Sequence, residues 1–360
     1  MRWTLDRRAV LRLGLAGTAA ALAETARARW AAAQAPPAAP VPPERRLANL
    51  RQLTFGGQNA EAYFDWTGTR LVFQSTRPPF GCDQIFTMRA AGGDGRLVST
   101  GKGRTTCAFF FPDGRRIIYA STHLGGVECP PAPDRSRGYV WPIYPTYEIF
   151  TADLDGGGLR RLTDNPGYDA EGAVSPDGRR IVFTSLRGGD LDLYMMDADG
   201  GNVRRLTDEP GYDGGPFFSW DGRFIVFRAA RPATAAALAE YRARLGQSLV
   251  RPRHLEIYVM RADGGGLRQV TRNGAANFAP FLHPSSEQVV FSSNHHDPAG
   301  RSFALWLANV DGSGLERVTW AESFASFPMF SRDGRTLVFC SNRGARAPGE
   351  LNVFVADWVT

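Results

Sequence analysis

The sequence has almost no lysine. Of its 42 basic side chains only Lys102 is a lysine, and the rest are arginine. One lysine between Gly101 and Gly103 leaves little basis for Schiff-base chemistry or a lysine general base. No G-x-x-x-x-G-K-[ST] surrounds it, which excludes a phosphate-cradling P-loop. Cysteine is sparse as well: Cys82, Cys107, Cys129 and Cys340 show no C-x-x-C spacing, so zinc-ribbon and thioredoxin-like sites are excluded. G-x-S-x-G, H-E-x-x-H and a complete EF-hand loop are all missing. Asp197-Ala-Asp199-Gly200 starts like a calcium loop but places glycine fourth and has no distal glutamate, so it reads as a hairpin turn. The formal net charge is only +6. Much of it sits at the start, where Arg2, Arg7, Arg8, Arg12, Arg27 and Arg29 face only Asp6 and Glu24. The remaining excess is too small to argue for nucleic acid or an anionic membrane surface.

Asp6-Arg7-Arg8-Ala9-Val10-Leu11 opens a short apolar stretch that runs to Ala23 and is too rich in glycine and alanine for a spanning helix. A charged start, a weakly apolar middle and Ala-x-Ala ends, at Ala23 or Ala35, describe a signal peptide over residues 1–35. The arginine pair and modest hydrophobicity favour the twin-arginine route. Residues 36–46 are proline-rich and read as an extended spacer. The chain is therefore expected to be exported to the periplasm, with no membrane span after signal removal, as a monomer. Cys107 and Cys340 lie in apolar strand-like runs and read as buried free thiols. Cys82 and Cys129 lie in loops, where an oxidising compartment permits a disulfide.

The body of the chain repeats. A turn of the Ser-Pro-Asp-Gly type is followed by an aromatic in a β-branched run: Phe73, Tyr119, Phe183, Phe227, Phe291 and Phe339. A second aromatic follows downstream at Phe86, Phe150, Tyr194, Tyr258, Trp306 and Phe354. An aliphatic–hydroxyl pair then closes each unit: Val98-Ser99, Leu162-Thr163, Leu206-Thr207, Val270-Thr271 and Val318-Thr319. The sixth such pair would fall beyond Thr360, and it stands instead near the start as Leu53-Thr54. Four short strands per unit and this permutation predict an all-β fold over residues 47–360: a six-bladed β-propeller, closed by an N-terminal strand that completes the last blade.

The Ser-Pro-Asp-Gly-Arg turn, the Ile-Val-Phe-x-Ser strand, Asp/Glu-Ile-Tyr and the closing Arg-Arg-Leu-Thr resemble the TolB-type β-propeller repeat, most fully between Asp169 and Thr207. No unit closes with Trp-Asp, so the WD-type propeller is excluded. The resemblance covers about residues 47–360 and implies an envelope protein. TolB itself implies a partner of the Tol–Pal machinery and an α/β domain ahead of the propeller. Here only the proline spacer precedes the first strand, so a stand-alone propeller is expected. Such repeats also accompany peptidase domains.

Two insertions, at about 124–146 and 232–254, both follow a blade's second strand and so should decorate one face. In the second, Leu238, Tyr241, Leu245 and Leu249 recur at helical spacing. The Arg77–Cys82 loop should reach the same face, which makes a Cys82–Cys129 bridge reasonable. Loops elaborated on one side of a rigid ring are where function usually sits.

Repeat-equivalent positions supply the candidate residues on that face. One ring is Asn59, Thr105, Asp169, Asp213, Asn277 and Ala325, and a second, two residues on, is Glu61, Cys107, Glu171, Gly215, Ala279 and Phe327. A third is Arg77, His123, Arg187, Arg231, His295 and Arg343. The leading expectation is a recognition module for an envelope protein, peptide or glycan. Arg77, Arg187, Arg231, Asn277 and Arg343 would grip polar groups, and Tyr139, Trp141 and Tyr144 would stack on them. The alternatives are a propeller hydrolase or lyase, or an accessory domain to an envelope peptidase. The enzyme would use Asp169, Glu171 and Asp213 with His123 and His295, or His296, as acid–base groups. No cofactor is expected, although the same carboxylates and imidazoles would suit a divalent metal. In the bland reading of these rings, asparagine, aspartate and arginine brace loops because the repeat recurs.

Overall fold

Each repeat folds around two rings that face one another in register. Phe73 stands opposite Phe86, Tyr119 opposite Phe150, Phe183 opposite Tyr194, Phe227 opposite Tyr258, Phe291 opposite Trp306 and Phe339 opposite Phe354. Cross-strand pairs of this kind contribute about 0.2–1 kcal/mol each and fix the register between strands. The β-branched neighbours, as in Ile181-Val182-Phe183, favour the extended backbone. They are wholly buried because adjacent sheets cover both faces of the strand.

The computed structural model describes residues 42–360 apart from 137 and 321–323. The signal peptide and most of the spacer read from the sequence lie outside the described residues. In the third blade the strands Asp169–Val174, Arg180–Ser185, Asp192–Asp197 and Arg204–Arg205 run in that order from the axis outward. Five more antiparallel four-stranded sheets repeat the arrangement, giving a six-bladed, all-β propeller. Among the described residues no helix is long and apolar enough to cross a membrane.

The last blade takes its outermost strand from the other end of the chain. Leu47–Gln52 pairs antiparallel with Asn352–Trp358, with Leu47 opposite Trp358 and Gln52 opposite Phe354. The hydroxyl of each closing pair accepts a hydrogen bond from the backbone of the third strand: Ser99 from Ile85, Thr163 from Ile149, Thr207 from Leu193, Thr271 from Ile257 and Thr319 from Leu305. Thr54 makes the sixth of these bonds, from Val353 at 2.9 Å. A buried bond of this type is worth about 1 kcal/mol. Here it joins residues almost 300 positions apart in the chain.

Closure reaches further into the N-terminal segment than the sequence suggests. Glu44, within the stretch read as spacer, accepts two hydrogen bonds from the Arg343 guanidinium, both at 3.0 Å, and one from the Trp320 backbone. Arg46 pairs with Glu316 at 2.8 Å and lies over the Trp358 ring. These two residues belong to the ring, and the spacer is correspondingly shorter.

The second insertion forms one helix, α1, over Ala235–Leu245, capped by the Thr234 hydroxyl. Leu238, Tyr241 and Leu245 are half-buried along one side. Leu249 does not continue that stripe. Gly246 ends the helix, Ser248 turns the chain with a φ of 57°, and Leu249–Val250 becomes a strand. That strand pairs with Trp141–Pro142 of the first insertion, so the two insertions join above blade three.

The Arg343–Glu44 pair is nearly buried, with side chains 11% and 14% exposed. Replacing Glu44 by alanine strands the guanidinium beside the seam, which costs about 2–3 kcal/mol. Thermal denaturation should show a clear fall in Tm for Glu44→Ala and none for Arg45→Ala.

Candidate functional site: a blind cavity on the loop-bearing face

Every inner strand carries one extra residue, which shifts its register against the second strand. The bulged residues are Glu61, Cys107, Glu171, Gly215, Ala279 and Phe327, all with left-handed backbone at φ values from 50° to 59°. For the five that are not glycine this conformation costs about 1 kcal/mol or more. Bulges re-aim side chains, and all six residues line one central cavity. Cys107, expected to be a buried thiol, is therefore a cavity-wall residue, whereas Cys340 is buried.

Aromatic rings close the lower end of the cavity. Tyr63 of blade one and Phe217 of blade four, on opposite sides of the ring, meet at 5.1 Å between centroids. Phe217 also contacts Phe109 and Phe281. One turn lower, Trp66 and Trp220 meet edge to face at 5.0 Å. These tryptophans replace the proline of the repeat turn in opposed blades, a departure visible in the sequence whose meaning needs the ring geometry. Above this floor lies a cavity of about 1110 Å³. Tyr147, Tyr168, Tyr212 and Phe278 line its walls, with Tyr139, Trp141 and Tyr144 from the first insertion. Cys82 and Cys129 form a disulfide that ties the first insertion to blade one.

One polar cluster is built into the wall. Glu171 accepts hydrogen bonds from the Thr184 hydroxyl at 2.7 Å and the Gly215 backbone at 2.9 Å, and its carboxylate pairs closely with Arg228. Arg228 also reaches the Tyr212 hydroxyl at 2.7 Å and lies over the Trp141 ring at 5.0 Å. Gly214 and Gly215 make room for it, since a Cβ on either would run into Tyr212, Glu171 or Arg228. Burial alone would lower the Arg228 pKa, but Glu171 and Tyr212 more than offset it and raise it. Sequence reasoning missed Arg228. The signal was a lone arginine in the apolar run Phe224-Ile-Val-Phe-Arg-Ala-Ala, where other blades place Gln74, Ala120, Thr184, Ser292 and Cys340.

The expected carboxylate–histidine centre is not assembled. Asp169 pairs with Arg187 at 3.0 Å and Asp213 with Arg231 at 2.6 Å, each within its own blade, and neither lines the cavity. Burial raises both carboxyl groups and the partner arginine pulls each back. The His123 ring contacts the Ser121 hydroxyl at 2.8 Å and packs on Phe150. Its pKa is lowered by burial and by Lys102. His295 packs on Trp306 and reaches the cavity rim, and His296 packs on the same ring. Among the described residues no three histidine, cysteine or acidic side chains are close enough to hold a metal.

The arginines expected to grip a ligand are braces instead. Arg77, Arg187 and Arg343 each donate to the serine at the end of their own second strand: Ser75, Ser185 and Ser341. Each also covers that blade's aromatic pair. Arg77 reaches Asn59, and Arg231 lies over Tyr258. Asn277 is buried and donates to Leu255, Glu256 and Asn273. Where the sixth blade has Ala325 in place of an acid, Glu44 supplies the partner for Arg343. Of the aromatic candidates, Tyr139 is 58% exposed and Tyr144 donates its hydroxyl to the Pro131 carbonyl at 2.6 Å.

Glu61 stands half-buried on the cavity wall. Burial, then the nearby Glu171 carboxylate, push its pKa from the usual 4.5 to about 7, against a hydrogen bond from Cys107. The folded state therefore holds this proton more tightly than the unfolded chain does. The resulting stabilisation is full below about pH 4.5 and is lost as pH rises to about 7. Thermal melts of wild type and Glu61→Gln across pH 4–8 should show the variant gaining on wild type over that window and running parallel above it.

Residues 145–241 match the family model described as the TolB beta propeller domain. A solved structure assigned as TolB from Agrobacterium tumefaciens superposes with a TM-score of 0.56 at 19% identity, over 86% of this chain and 97% of that one. TolB from Acinetobacter baumannii gives 0.54 at 18% identity, over 84% of this chain and 64% of that one. An oligogalacturonate lyase from Vibrio parahaemolyticus gives 0.50 at 12% identity, over 86% and 93%. In sequence, dipeptidyl-peptidase 5 of Porphyromonas gingivalis is 34% identical over 82 residues, which is 23% of this chain and spans only 10% of the peptidase. Propellers of differently named proteins thus share this fold. The chain is a six-bladed β-propeller whose residues 145–241 carry the TolB-type repeat.

Proposed function

We propose that the protein is an exported recognition module of the cell envelope, which binds a protein, peptide or glycan in the blind cavity on its loop-bearing face. The observation that carries this reading is the cavity itself: large, floored by rings that meet across the axis, and roofed in part by two paired insertions. Such a pocket suits the end or a protruding segment of a ligand better than a strand threaded through the ring. Trp141, held over Arg228 and against Tyr212, supplies a stacking face at the wall. The separation of Asp169, Asp213 and His123 into different blades speaks against the hydrolase or lyase chemistry that would need them together. The likeness to periplasmic TolB proteins and the arginine pair Arg7-Arg8 support an envelope location reached by the twin-arginine route.

Ligand capture from envelope extracts or on a glycan array should separate site from scaffold. Trp141→Ala should lose the captured ligand with little change in Tm. Arg187→Ala should keep the ligand while its Tm falls, because it leaves Asp169 buried without its cation, at about 2–4 kcal/mol. The opposite pattern would place the site on the arginine ring. Cell fractionation should find the Arg7→Lys, Arg8→Lys double variant retained in the cytoplasm, and normal export of that variant would remove the twin-arginine route.

A further inference from the structure

The acids that surround the cavity are matched, with one exception. Glu171 has Arg228, Asp83 has Arg104 at 2.6 Å, and Asp297 accepts three backbone N–H bonds. Glu61 has the Cys107 thiol, and among the described residues no arginine, lysine or histidine forms an ion pair with it. The remaining bulge positions, Gly215, Ala279 and Phe327, are uncharged. An ionised Glu61 therefore adds to the lower wall of the cavity a negative charge with no ion-pair partner of its own among the described residues, offset only by the field of Arg228. Tyr63 stands beside it, and Tyr168, Phe217, Phe278 and Phe327 line the same cavity. One carboxylate beside a thiol offers too few oxygens for calcium or magnesium. It does suit an organic cation, whose charge one acid can meet and whose stem can lie on aromatic walls.

We propose that the blind end of the cavity binds the cationic end of a peptide, an ammonium or guanidinium group paired with Glu61, with its stem along the aromatic lining. The proposal rests on reading the cavity as the ligand site and names the group that enters it first. Arg253 and Arg301 stand exposed at the mouth. They repel a free polyamine, while a peptide with an acidic residue behind its cationic head meets positive charge at the mouth and negative charge at the floor.

Calorimetry on the full chain tests this with four probes: Ala-Ala-Asp-Ala with a free or an acetylated amine, and acetylated Arg-Ala-Asp-Ala or its citrulline counterpart. The first pair reports a terminal amine, the second a side-chain guanidinium, and spermidine serves as the free polyamine. The expected result is that at least one cationic peptide binds. Neutralising its charge, or Glu61→Gln, should weaken binding about tenfold or more. A second measurement needs no variant. The groups facing Glu61 are Cys107, Cys340, Glu171, Asp83, Arg228 and Tyr63; the two other acids are already paired with arginine, and burial pushes the Cys340 thiol up to about 12, above this window. The cation competes with the proton on Glu61, so wild-type affinity should fall from pH 8 to pH 6 by about tenfold for the guanidinium peptide and about fivefold for the terminal amine, itself only about half protonated at pH 8, and that for a neutral peptide should not. Neutral probes that bind as tightly as charged ones, an unchanged affinity in Glu61→Gln, tighter binding of spermidine than of any peptide, or no cationic binding at all would each overturn the proposal. None of these results touches the Trp141→Ala outcome, so the cavity can stand as a ligand site while its cation specificity falls.

Discussion

The seam between Leu47–Gln52 and Asn352–Trp358 holds everything else in place. Only a closed ring sets blades one and four opposite one another, and only then can Tyr63 reach Phe217 and Trp66 reach Trp220 across the axis. Those contacts turn a channel into a blind cavity. The seam is reinforced by groups of three kinds: a strand ladder, the Thr54 hydroxyl bond, and the charged pair of Glu44 with Arg343. Losing it would leave six sheets whose outer faces still pack in sequence, but with no fixed centre.

Within the ring, repetition and function occupy different positions. The aromatic pair recurs in all six blades, and in blades one, three, four and six a strand-end arginine lies over one or both of its rings. The residues that shape the cavity are those where the repeat varies. At the bulge the six blades offer two acids, a thiol, a glycine, an alanine and a phenylalanine on one backbone geometry. The fold thus presents a constant frame with six independently variable inward positions. The cluster of Glu171, Arg228 and Tyr212 uses two adjacent blades in this way.

The blade count, strand order and permuted closure were legible in the sequence because each follows from a local period: the aromatic pair, the hydroxyl pair and the misplaced Leu53-Thr54. The face of the insertions was legible for the same reason. The pairing of Trp141–Pro142 with Leu249–Val250 was not, since strands of two residues have no pattern of their own. The carboxylate cluster failed for a different cause. Asp169, Asp213 and His123 were grouped by their place in the repeat, but these three places are held apart by the ring, and each found its partner at home. Glu61 and Glu171 were on the same footing in the sequence, and only Arg228, arriving from the neighbouring blade, distinguishes them.

The union of the two insertions above blade three also breaks the equivalence of directions around the axis. Six nearly identical blades would give a mouth that looks the same every sixth of a turn, and a ligand seated there would have no preferred azimuth. With the paired insertions bearing Trp141 on one part of the rim and only the short loop of Asn294 and His295 on another, the mouth has a back and a front. A chain entering such a mouth would meet two unlike sides, so the opening itself distinguishes one direction of approach from the others. That polarity comes wholly from two short loops and not from the ring that carries them.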